Sequence, residues 1–493
     1  MSALSLRSAG LPRRSVLAAS LLVAVSAHAQ SADADASRTR ATDLDAVLVV
    51  AQRAERVSNG ATNLDLAIKD TPQSISVVTR EQMQQFGANS VNDALRLATG
   101  VQVDEWETNR TSYSARGFDI LNTQIDGAGL PNNWGIATGA TDTFGYEKVE
   151  VIRGANGLLT GVGNAAGTIN YVRKRPTNDE QGTFGISYGS WGTKRAQVDY
   201  STPLTANGTW AARIVAAHED GNTWLRANDN NRNYVYGVVD GQIGENGTLT
   251  FGYSYQRAKS DGIMWGALSF MANDGSQLSW PVSASTTQDW TYWNTNTHTA
   301  FAEYTHQLGQ DWQLKLSYNY RHATDDERMF YAYDALGAGL DPNTGLGLYG
   351  YPWGGNDTST ANMGAATLDG HFELFGRDQE VMLGASIARS TSRSWERSAD
   401  FSSPAWGALP AFPYASDAIA EPDWSDPSLY SVLNQRLKRA FGATRLALTD
   451  RLKAIVGVNY AQYRRDGNSY TLTFDQTTRH TSPYGCLLYT SDA

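Results

Sequence analysis

From Pro176 onward, apolar and polar residues alternate with a period of two in short stretches divided by Gly, Asn and Asp turns. Eleven stretches carry the pattern: 183–188, 194–200, 210–218, 234–243, 248–256, 297–307, 312–322, 365–374, 380–389, 440–448 and 454–463. Period two places successive side chains on opposite faces of an extended chain, so each stretch predicts a strand with one apolar and one polar face. The connections are unequal. Gly244-Glu245-Asn246-Gly247 is a tight turn, whereas 259–296 and 390–436 are long. Strands of this kind, with short turns at one end and long connections at the other, predict an antiparallel barrel wall in a bilayer. A soluble β-sandwich has no need of that asymmetry.

Before Pro176 the texture differs. TREQMQQF (79–86) and VNDALRL (91–97) have helical spacing, with Thr79 and Ser90 placed to cap them and Gly87 and Gly100 to stop them. Short strands are predicted at 74–78, 101–104, 123–126, 149–152 and 169–172. A small α+β domain over 70–175 therefore precedes a mainly β region over 176–485. Gly161-x-Gly163-x-x-Ala166 formally matches a dinucleotide fingerprint, but GTINYVRKRP follows where a helix should open, so the context fails.

Three phrases carry a resemblance: TPQSISVVT (71–79), ARGF (115–118) and YEKVEVIRGANGLLTGVGNAAGTINYVRKRP (146–176). In this order they resemble the plug domain of TonB-dependent outer-membrane siderophore receptors, of the ferric hydroxamate, pyoverdine or coprogen type. The resemblance implies a transmembrane antiparallel β-barrel of about 22 strands when complete, filled by the plug. About half of those strands are present, and the chain is expected to be truncated at its C-terminus. An open half-barrel leaves strand edges unpaired in lipid, so it is not expected to insert alone.

The N-terminus reads as a secretory signal over 1–29, with Arg7, Arg13 and Arg14, an apolar run over 16–25 and Ala27-His28-Ala29 before the cut. A polar tether over 30–69 follows. It contains the β-prone run Ala46-Val47-Leu48-Val49-Val50 within 45–52, which reads either as a first strand or, given the resemblance, as a TonB box that pairs edge-on with its partner. The stretch before the plug is expected to be too short for an additional signalling domain. CLLYTSDA (486–493) looks like a translated sequencing adapter, which makes the single Cys, Cys486, foreign and the rest of the chain thiol-free.

No run is long and apolar enough for a membrane helix, yet 14 Trp, 24 Tyr and 14 Phe suit the aromatic girdles of a barrel. The net charge of −10 disfavours nucleic acid as a partner. Scattered His, no Cys cluster and no nucleophile elbow give no support to an enzyme or to a metal site made of protein ligands.

The resemblance implies outer-membrane location, coupling to TonB with its inner-membrane energising complex, surrounding outer-membrane lipid, and a ferric siderophore as cargo. The iron arrives inside its chelator, so no cofactor is expected. The resemblance also puts an apical ligand loop at 104–113, with Arg110 as donor and Trp106 as wall, and a second loop carrying Trp134. Trp265, on a long connection, is a further aromatic candidate. Arg110 could instead pair with Glu105 or Glu107, and Trp106 could pack on the wall. Arg116 and Arg153 are expected to pair with barrel carboxylates and hold the plug. Another cargo (vitamin, haem or oligosaccharide) or a passive porin or adhesin are the rival readings.

Overall fold

A computed structural model describes residues 73–129, 136–153, 166–334, 337 and 339–489. The signal segment, the tether with Ala46, Val47, Leu48, Val49 and Val50, and Trp134 lie outside the described residues.

The N-terminal domain is built on a four-stranded sheet in the order β1 (Ser74–Thr79), β7 (Tyr146–Arg153), β8 (Gly167–Arg173), β5 (Asn122–Ile125). Only β5 and β8 run parallel. Helices α1 (Arg80–Gln85) and α2 (Val91–Leu97) follow β1, and each opens with a reciprocal capping box: Thr79 with Gln82, and Ser90 with Asp93. Two backbone donors are thereby satisfied at each start. Gly87 and Gly100 follow at φ +60° and +73°, the left-handed turn that glycine takes without a Cβ clash. Val91, Ala94 and Leu95 of α2 pack on Val149, Val151 and Ile169 of the sheet to form the core.

A second small sheet holds β2 (Gln102–Glu105), β3 (Arg110–Ala115) and β4 (Phe118–Asp119), with β6 (Ile136–Thr138) on the other side of β3. From the sequence, 104–113 is expected to be a loop. It is instead a hairpin with its tip at 106–109, because Thr111, Tyr113 and Ala115 alternate inward to burial.

Twelve long antiparallel strands form the second region, in chain order: β9 (Gln181–Tyr188), β10 (Lys194–Pro203), β11 (Trp210–Asn222), β12 (Asp229–Ile243), β13 (Gly247–Asp261), β14 (Tyr292–Leu308), β15 (Trp312–Asp334), β16 (Leu348–Leu374), β17 (Arg377–Arg397), β19 (Ser428–Ala447), β20 (Leu452–Ser469) and β21 (Leu472–Tyr489). A two-residue strand, β18 (Gly407–Ala408), pairs with β16. The eleven predicted stretches fall on β9–β17, β19 and β20, with Leu448 one residue beyond β19. β21 is the twelfth, and it carries Cys486 opposite Ile455 in register with β20.

The outward face is apolar: Ile186, Ile214, Phe251, Leu316, Leu383 and Val458 are all exposed. The inward face buries polar residues such as Asp199, Arg213, Thr250, Asn319 and Asn459. β15 and β16 run 23 and 27 residues, against the roughly 9–11 that a tilted strand needs to cross a bilayer, so both overrun it. The overrun is at the long-loop end, where Phe330 of β15, Leu409 and Phe412 from 398–427 and Ala284 from 262–291 share one apolar cluster.

A cavity between plug and wall as the candidate ligand site

The plug is fixed to the wall by buried charge. Asp142, 1% exposed, receives Nη1 and Nη2 of Arg195 on β10 at 2.9 Å each and Nε of Arg232 on β12 at 2.9 Å. Glu219 on β11 binds the same two arginines at 3.2 and 2.8 Å. A second group follows β8. Arg173 bonds Asp126 at 2.7 Å and Asn319 at 2.8 Å, Lys174 bonds Asp199 at 2.8 Å, and Arg175 bridges Asp126 and Glu303 at 3.2 and 3.4 Å. Gly145 is part of the same contact: a Cβ there would lie 1.9 Å from the Tyr234 hydroxyl of β12.

Burial opposes ionisation of Asp126 and Asp142, but the guanidiniums beside them win, and both carboxyls are held below their usual range. Burial pushes the Lys174 ammonium down to about 8, with Asp199 recovering part of the loss.

These contacts correct one expectation. Arg116 is exposed at the β3–β4 turn with φ +56°, and Arg153 bonds Ser74, Ser76 and the Thr99 carbonyl, all within the plug. On the plug side the anchoring cations are Arg173, Lys174 and Arg175. Their signal in the sequence is the run of three cations before Pro176; what the sequence hides is their partners, as distant as Glu303.

Above the anchors a cavity of about 1080 Å³ opens between the plug and the wall. Its plug side includes α1, α2 and the hairpin tip; its wall side includes β9 to β12 and the 262–291 connection. Eight aromatics line it: Trp106, Phe144, Tyr146, Tyr188, Trp191, Trp224, Phe270 and Trp280. Two rings are tethered, since Trp106 Nε1 donates to Ser112 Oγ at 3.0 Å and Trp280 Nε1 to the Ser269 carbonyl at 2.8 Å. Trp191 meets Trp224 edge-on at 6.0 Å, and its φ of +54° is costly for a residue with a Cβ. The Asn109 Oδ1 is buried at the tip without a hydrogen-bond partner among the described residues.

Of the residues singled out from sequence, Trp106 lines this cavity. Arg110 stands at the base of the tip, turned into a two-bond pair with Glu107 at 2.6 and 2.8 Å and 5.6 Å from the Trp106 ring centre. Burial works against that guanidinium, and Glu107 keeps its proton bound more tightly than usual. Trp265 belongs to a separate aromatic group with Tyr331, Tyr351 and Trp353, at 5.5–6.4 Å between ring centres. The two regions touch: Thr108 Oγ1 donates to the Met264 carbonyl at 3.3 Å. Trp191, Trp224, Phe270 and Trp280 were missed, because each sits in a turn or long connection with no local pattern.

A plug seated inside a strand wall and sharing a cavity with its long loops matches what family comparison finds. Residues 67–168 match the TonB-dependent receptor plug domain, and residues 265–492 match the TonB-dependent receptor-like β-barrel. The chain belongs to the TonB-dependent receptors. This receptor is 31% identical over 421 residues to the ferripyoverdine receptor of Pseudomonas aeruginosa, covering 84% of the chain and 50% of that relative. It is 28% identical over 414 residues to the ferric-pyoverdine BN7/BN8 receptor of Pseudomonas putida, covering 83% of the chain and 50% of that relative. The crystal structure of the Pseudomonas aeruginosa ferripyoverdine receptor bound to ferripyoverdine superposes with a TM-score of 0.81 at 28% identity, covering 88% of this chain and 57% of that one. The chain thus spans about half the length of the curated relatives it matches. The family is one of transport receptors.

Proposed function

We propose that this receptor takes a ferric siderophore of the pyoverdine kind across the outer membrane, with TonB as the source of pull. The observation that carries the reading is the aromatic-walled cavity shared by plug tip and long loops, in a chain similar to ferripyoverdine receptors. At about 1080 Å³ it is slightly larger than the roughly 300–1,000 Å³ typical of small-ligand sites, which suits a chelate with a peptide arm. The iron is coordinated by the chelator, so the protein need supply only ring surface and hydrogen bonds. Arg110 and Trp265 keep a place in this reading as the rim of the cavity that Trp106 lines, and Trp134 stays a ligand candidate outside the described residues.

Binding of ferripyoverdine to the full-length receptor containing this chain, followed by tryptophan quenching, tests it. Changing both Trp191 and Trp224 to Ala is expected to weaken binding by roughly 2 kcal/mol, about thirtyfold, as two rings leave the wall. Affinity unchanged within twofold would remove these rings from the site. Binding of haem or a vitamin in place of the ferric chelate would favour the rival cargo.

In the proposed cycle, TonB captures the box and draws on the chain leading into β1. Ser76 and Val151 face each other across β1 and β7. A Ser76→Cys/Val151→Cys disulfide is expected to stop uptake while leaving binding intact, and a reductant to restore it. Uptake at the normal rate with the bridge closed would show that β1 stays in place during transport.

A further inference from the structure

The outer wall carries one feature that neither the cavity nor the anchors use. Arg389 on β17 stands directly opposite Arg436 on β19, and Arg436 stands directly opposite Arg464 on β20. Lys438 and Arg479 flank this row, each opposite Gln462. All five side chains are exposed. They alternate with Ala388, Leu437 and Ala461, which are buried together on the inner side, so the cations project outward.

Like charges directly opposite each other destabilise a sheet. Followed onto β16, β15, β14 and β13, the same row holds Asn362, Tyr320, Ala300 and Tyr253, none of them charged. The cations are therefore concentrated on one side of a chain whose net charge is −10. Arg464 is answered by Asp466 and Asp475 at 3.0 and 3.2 Å, both nearer the long-loop end. Arg389, Lys438 and Arg479 have no ion pair among the described residues, and Arg436 has only the longer-range attraction of Asp466, which Arg464 already holds.

Position identifies the partner. On β17 the outward residues Leu383, Ala385 and Ile387 lead up to Arg389, and on β20 Val456, Val458 and Tyr460 lead up to Arg464. The row thus marks the edge of the apolar band on the long-loop side, the level of lipid headgroups. Strands lie about 4.8 Å apart, so three guanidiniums on neighbouring strands span about 10 Å and can share the oxygens of one phosphate-bearing headgroup.

We propose that Arg389, Arg436 and Arg464, flanked by Lys438 and Arg479, form a binding site for a phosphorylated lipid of the outer leaflet. The site rests on the outer-membrane reading above. It holds the barrel wall at its seam between β17 and β20 by neutralising a row that would otherwise repel.

The test is lipid retention by native mass spectrometry, on the full-length receptor from mixed micelles of phosphatidylcholine and phosphatidic acid. The wild type is expected to retain phosphatidic acid in preference. Each cation near a headgroup is worth about fivefold, so changing all three arginines to Gln should lower the preference on the order of a hundredfold. Arg436→Lys should retain most of it, and Arg257→Gln, on the far side of the wall, all of it. No preference in the wild type, or an unchanged preference in the triple variant, would overturn the site. Strand content and protease protection in the bilayer separate this from failure of the outer-membrane reading: a receptor that does not insert removes both, whereas one that inserts without preference removes the lipid site alone.

Discussion

In an Asp142→Asn receptor the plug is expected to be held less firmly, by roughly 3 kcal/mol, because two buried guanidiniums lose their shared carboxylate. Arg195 and Arg232 would be left with Glu219, which is 19% exposed in its side chain and already binds both. The amide can still accept from the Phe144 amide, so local shape is kept and the loss is one of charge. A loss of about 3 kcal/mol is a factor of more than a hundred in the population of released plug. Limited proteolysis of the plug in an otherwise folded receptor reads that population. An exposed pair is the control: Asp378→Asn, which removes the partner of His371, should change it by less than about 1 kcal/mol. Equal protection in Asp142→Asn and wild type would mean that the buried charges contribute no net anchorage.

Acidification should act in the same direction. Asp126 and Asp142 have folded pKa values below the ordinary carboxyl range, so the unfolded chain takes up protons first as pH falls. Their contribution is complete above the ordinary value of about 3.9 and is lost as pH falls through the folded values. Plug release should therefore steepen below about pH 4 in the wild type, with a shallower slope in Asp142→Asn.

Uptake of ferripyoverdine is expected to fall to background when Val49 is changed to Pro, with binding unchanged. β-augmentation depends on backbone hydrogen bonds, and proline removes a donor and fixes φ in the middle of the run from Ala46 to Val50. The described residues that line the cavity run from Arg80 onward, and the substitution changes none of them. Parallel assays on the same cells separate capture from transport. Persistent uptake would place the TonB-gripped segment elsewhere or make the transport passive; loss of binding would mean that 45–52 reaches the cavity.

The membrane-facing part of the wall was legible because lipid imposes a rule on every second residue. Ile214, Phe251 and Leu383 obey it, and their strands were read in place. Beyond the bilayer the rule lapses: Gly354, Gly355, Asn356 and Thr358 continue β16 with no apolar face, held by pairing with β15 and β17. Strand β3 was missed for another reason. Its buried positions are Thr111, Tyr113 and Ala115, and two of them are small or polar, so alternation was present without looking hydrophobic. The cavity was the least legible part. Trp191 and Trp224 are 33 positions apart and meet only because β10 and β11 fold back between them. Trp106 could be singled out from a single local phrase, since the hairpin that carries it is continuous in sequence.

Strand β1 has a mechanical consequence. Among the described residues it is the outermost strand of its sheet, paired with β7 alone from Ser74↔Arg153 to Thr79↔Lys148. Traction arriving from the N-terminal side reaches Ser74 first, so the strand can be peeled, one pair bearing the load at a time, rather than sheared with six resisting together. Helix α1 follows directly, and with it Arg80, Met83 and Gln84, which line the cavity. The ionic anchors, at Asp142 just before β7 and at Arg173–Arg175 after β8, come later in the chain than β1, so tension along the backbone reaches them after β1 has gone. A modest force would thus withdraw part of the cavity floor beneath the ligand while the remainder of the plug stays docked, which makes passage a matter of unravelling rather than expulsion.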